Sequence, residues 1–121
     1  MKDEKQPEDL RTRTTSFALR IIKMYTALPK TTLAQTLGTQ VLRSGTSVGA
    51  NYREAYRGRS DPEFVAKMGD CLKELDETAY WLELLVSSEI VPVERLASLC
   101  DETDQLIAIF VTIIKKLKGR L

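Results

Sequence analysis

Apolar side chains recur at intervals of three and four along nearly the whole chain. Phe17, Ile21, Tyr25 and Leu28, with Ala18 and Ile22 beside them, predict a first helix from about Glu8 to Leu28. Pro29 has no backbone donor and biases Leu28 away from helical dihedrals, so the helix stops there. Leu33, Leu37, Val41, Val48, Tyr52 and Ala55 predict a second helix from Thr32 to Arg59. Gly58 ends it, and Ser60 or Asp61 can cap the third, whose first turn suits Pro62. That third helix, Pro62 to Ser88, carries Phe64, Met68, Cys71, Leu75, Thr78, Leu82 and Leu85 on its core face. A break at Ser87 to Pro92 precedes a fourth helix from Val93, striped by Leu96, Leu99, Cys100, Thr103, Leu106, Phe110, Ile113 and Leu117. Short connections make successive helices antiparallel, so the predicted fold is all-α, an antiparallel up-down-up-down four-helix bundle. Residues 1–8, charged and holding Pro7, read as a flexible tail or a helix entry, and 9–121 as the bundle domain.

The second helix carries more than a core stripe. At 100° per residue, Arg43, Ser47, Asn51 and Glu54 share an arc of about 80°, roughly opposite Val41, Val48, Tyr52 and Ala55. Serine, threonine, glycine and asparagine are poor helix formers that a free surface has no reason to gather, so this stripe predicts a close, hydrogen-bonded contact. Arg43 is its expected anchor, pairing with Glu74 or Glu77 of the third helix in the same subunit or the next. If that pair is buried, Arg43→Ala should cost about 3–5 kcal/mol. Gly38, Gly45 and Gly49 each weaken a helix by about 1 kcal/mol, which close approach of a neighbouring helix can offset. At the end of the third helix, Tyr80, Trp81, Leu84 and Val86 broaden the apolar surface beyond one stripe and imply a second contact surface.

Composition narrows the chemistry. Eighteen basic against seventeen acidic residues give +1, so no overall field draws the protein to nucleic acid or anionic lipid. There is no histidine, which removes the commonest general base and metal ligand. Glu74, Asp76, Glu77 and Glu83 therefore read as salt-bridge and subunit-contact carboxylates, with no catalytic, cofactor or metal residue expected and no enzyme activity. Cys71 and Cys100 lie on apolar stripes and read as small hydrophobes in a reducing, cytoplasmic setting. No run of 18 apolar residues exists, so no membrane is expected as a partner. Two basic clusters remain as nucleic-acid contact candidates: Arg53, Arg57 and Arg59, with Tyr52 and Tyr56 interleaved, and Lys115, Lys116, Lys118 and Arg120. Both also complement a helix C-terminus.

The pattern R-S-G-T-S-V-G-A-N-Y-R-E-A from Arg43 to Ala55, then Phe64 and E-L-D-E-T-A-Y-W-L-E-L-L from Glu74 to Leu85, resembles the bacterial four-helix-bundle proteins first met in intervening sequences of large-subunit ribosomal RNA genes. The similarity spans about residues 15–117. It implies a ring-shaped homopentamer, with Gly45, Gly49, Trp81 and Leu84 as subunit-contact candidates. The accessory variability determinant of diversity-generating retroelements is similar in architecture; it works beside a reverse transcriptase and binds nucleic acid on a basic outer surface. Two functions follow as expectations. One is a non-enzymatic homo-oligomeric scaffold whose partner is a protein or RNA. The other is a nucleic-acid-binding accessory factor.

Overall fold

The computed structural model describes residues 6–58 and 60–120, with side chains from Asp9 onward. Four helices make up the fold: α1 (Gln6–Thr26), α2 (Thr32–Ala55), α3 (Asp61–Ser87) and α4 (Val93–Lys118). Of the tail expected over residues 1–8, residues 6–8 are already helical and the remainder lies outside the described residues. The second helix ends at Ala55, short of the expected Arg59, because Tyr56 and Arg57 close a turn that returns the Gly58 N–H to the Ala55 carbonyl. Thr31 caps α2 by accepting from the Ala34 N–H at 3.2 Å, and Ser60 caps α3 by accepting from Glu63 at 3.3 Å. Past Ser87, the Ile90 N–H reaches back to the Leu85 carbonyl and the Glu89 N–H to Val86, a Schellman ending. It holds Glu89 at φ 63°, where glycine is the usual occupant.

Contacts across the seams fix the directions of the chain. Gly38 of α2 meets Tyr25 of α1 and Leu28 just past its end while Gly49 meets Thr14, so α1 and α2 are antiparallel. Ser44 meets Thr78 and Glu54 meets Lys67, which makes α2 and α3 antiparallel. Arg13 reaches Glu102 and Arg20 reaches Ser98, so α4 runs against α1 and closes the square. The all-α up-down-up-down bundle stands as expected. Its core fills with Phe17, Ile21, Val41, Val48, Tyr52, Met68, Leu75, Leu82, Leu85, Leu106 and Phe110, all essentially inaccessible.

Two stripe positions differ from expectation. Leu33 is 56% exposed, because the buried arc of α2 runs through Ala34, Gly38 and Val41, one residue further round. In α4, Ile114 rather than Ile113 completes the row after Leu106 and Phe110, keeping a strict spacing of four, and Ile113 is half-buried beside it.

Candidate functional site

The expected polar stripe lies along the α2/α3 seam. Arg43 stands between two carboxylates one turn apart on α3: Nη2 donates to Glu77 at 2.7 Å and Nη1 to Glu74 at 3.4 Å. The pair is intramolecular, yet its surroundings correct the buried reading, since the Arg43 side chain is 49% exposed. Water screens such a pair, so Arg43→Ala should lower stability by about 0.5 kcal/mol and no more than about 1, read by denaturant unfolding. Ser47 turns its hydroxyl onto the Arg43 carbonyl of its own helix at 2.6 Å, and Asn51 is half-buried. Glu54 accepts from Lys67 Nζ at 3.1 Å, closing the far end of the seam.

The buried polar contact of this seam is one the sequence reading passed over. Thr78 Oγ1 donates to Ser44 Oγ at 2.8 Å, and Ser44 donates in turn to the Gln40 carbonyl at 3.0 Å; both residues are fully inaccessible. The hydroxyl pair joins the two helices inside an apolar seam, while each oxygen also lies within hydrogen-bond distance of a carbonyl of its own helix, Gln40 for Ser44 and Glu74, at 2.8 Å, for Thr78. The signal was present: the α2 stripe jumps from Val41 to Val48, and Ser44 fills the helical position between them.

Gly45 and Gly49, expected at a subunit contact, are spent inside the chain. A Cβ on Gly45 would stand 2.8 Å from Ile21 Cγ1 of α1, and one on Gly49 3.3 Å from Thr14 Oγ1. They let α1 approach α2, so the close partner is this chain's own helix. Trp81 is half-buried against the chain's own core, with its ring 5.1 Å from that of the exposed Tyr80 and its indole N–H buried without an acceptor among the described residues. Leu84 is half-buried on the same side of α3.

A second polar clamp, also missed, ties α1 to α4. Arg13 donates from Nε and Nη2 to the two oxygens of Glu102, both at 2.8 Å, and Nη2 also reaches Gln105 at 2.8 Å. This bidentate, half-buried geometry is the strong kind of ion pair. Its hydrogen bonds hold the Glu102 carboxyl below the usual carboxylate range. A carboxyl whose folded pKa lies below its unfolded one adds stability above the unfolded value of about 4.3, and that stability is lost as pH falls through the folded value. Glu102→Gln should therefore lower stability at neutral pH by about 1–2 kcal/mol, and the difference should shrink as pH falls below the unfolded carboxyl value. Periodicity could not find this pair, since 89 residues separate its members.

Neither thiol is poised to react. Burial pushes Cys71 up to about 12 and raises Cys100, so both stay protonated near neutrality.

Because α2 and α4 run the same way, their C-terminal basic clusters lie at one end of the bundle. Arg53 there reaches Thr15 Oγ1 at 3.3 Å, and Arg57, Lys115, Lys116 and Lys118 are exposed. Arg59 lies outside the described residues. Among those residues no helix is long and apolar enough to cross a membrane.

A crystal structure of a protein of unknown function from the S23 ribosomal protein family of Bacteroides thetaiotaomicron is similar at 35% identity and a TM-score of 0.85, covering 91% of this chain and 98% of that one. Among curated proteins none matches. The model of the 23S rRNA-intervening sequence protein family matches residues 9–112, which takes in the Arg43 seam, the glycine face and the Arg13–Glu102 clamp, and the chain belongs to that family.

Proposed function

We propose that this protein is a non-enzymatic, cytoplasmic scaffold that works as a homo-oligomer. The observation that carries the reading is the set of large apolar side chains left in water on more than one side of the bundle. Leu19 is 61% and Ile22 41% exposed on the outer face of α1, and Tyr80 is 53% exposed on α3. Scattered exposed hydrophobes need no partner, but Leu19 and Ile22 share one helix face, and Tyr80 lies beside the half-buried Trp81. Two different faces brought together between copies make a heterologous contact, which forms a ring when its rotation closes. The pentamer implied by the resemblance is one such ring, with Trp81 and Leu84 the remaining subunit-contact candidates. The glycine face drops out of that set.

The test is Leu19→Arg with Ile22→Arg, a double substitution on exposed positions. Far-ultraviolet circular dichroism should keep its helical signal while the solution mass falls to that of one chain. Unchanged mass would remove the α1 face from the interface.

The gathering of Arg53, Arg57, Lys115, Lys116 and Lys118 at one end supports a second reading, a nucleic-acid-binding accessory factor. Such binding would rest on counterion release and fade with salt. Salt-sensitive binding of single-stranded RNA that Arg53→Glu with Arg57→Glu abolishes would favour it over a partner made of protein.

A further inference from the structure

An apolar concavity lies apart from the polar seams described above. At the end opposite the basic cluster, the C-terminal half of α1 and the start of α4 part to leave a groove of about 460 Å³. Its floor is carbon: Met24, Leu28, Val91 and Leu99. At its edge stand Arg20, Lys23 and Arg95, and no acidic residue lines it. Arg20 spends one donor on Ser98 Oγ at 2.8 Å. No ion pair joins Lys23 or Arg95 to a carboxylate among the described residues. Arg95 also lies in the first turn of α4, where a cation opposes the helix dipole and an anion suits it.

We propose that this groove binds a small amphiphilic anion, an aliphatic chain carrying one carboxylate, with the chain on the Leu28–Leu99 floor and the head at the basic rim. The volume falls within the range of small-ligand sites, which pair an apolar lining with a few polar groups that fix orientation. Three cations facing no lining anion select the sign of the head, and the carbon floor disfavours a hydrated polyanion such as a nucleic-acid backbone.

The probe is decanoate below its micellar concentration, titrated calorimetrically into the full chain beside decanol as the uncharged analogue. One saturable site per chain is expected, with decanol roughly tenfold weaker or more. Two variants at exposed positions locate the site: Lys23→Glu with Arg95→Glu removes the head's partners, and Ala27→Trp fills the groove. Each should weaken decanoate roughly tenfold or more while leaving the melting curve in place. Absence of saturable binding, equal affinity for decanol, or binding that survives both variants would overturn the proposal. A wild type that refuses decanoate while the charge-reversed variant loses solution mass would overturn it too, by placing a second copy of the chain in the groove.

Discussion

Gly45→Val is expected to lower unfolding stability by about 3 kcal/mol or more, although valine has the higher helix propensity. At Gly45 even the first added carbon meets Ile21 Cγ1 at 2.8 Å and Cγ2 at 3.0 Å. Ile21 is fully inaccessible and β-branched, so it cannot swing aside, and α1 must move away from α2. Gly45→Ala is the milder case: a propensity gain of about 1 kcal/mol works against an overpacking loss of about 1–3. Ile21→Ala should restore part of the loss in the Gly45→Val background, and a double-mutant cycle in denaturant measures that coupling. Gly69→Ala is the control, since nothing stands within 4 Å of a carbon added there. Additive effects of Gly45→Val and Ile21→Ala would show that the two positions do not meet.

Tyr52→Ala should be at least as damaging, with a loss of about 3–5 kcal/mol. The ring is 2% exposed and stands edge-on to two others, Tyr56 at 5.3 Å and Phe110 at 6.0 Å, while Tyr56 continues to Phe64 at 5.1 Å. Tyr52 thus bridges α2 to α4, with Tyr56 carrying the ring contacts on to Phe64 of α3, and removing it leaves a cavity at this end of the core. Tyr52→Phe keeps the ring and gives up the hydroxyl, which stands 3.5 Å from that of Tyr56, so it should cost about 0.5–1.5 kcal/mol, well below the loss for alanine. A similar loss for both substitutions would mean that the hydroxyl, and not the ring, holds this end together.

Periodicity reported the bundle well, because burying one face of each helix is a strong and local constraint that spacing records directly. It placed Phe17, Met68, Leu82 and Phe110 inside, where they are. It failed where neighbours decide. Leu33 and Ala34 are one residue apart and only the approach of α1 determines which faces it, through Gly38 against Tyr25 and Leu28. The partners of Arg43 were legible from charge and spacing, but its exposure was not, since that depends on how far the guanidinium extends past the seam. The glycines announced a close approach without naming the approaching helix. The Arg13–Glu102 clamp and the α1/α4 groove are products of chain closure, and no local pattern encodes them.

Self-association of the unmodified protein is measured directly by sedimentation equilibrium at micromolar concentration. It predicts a single species at an integral multiple of the 13.7 kDa chain mass, five for the ring that the resemblance implies. A species at 13.7 kDa across that concentration range would contradict it.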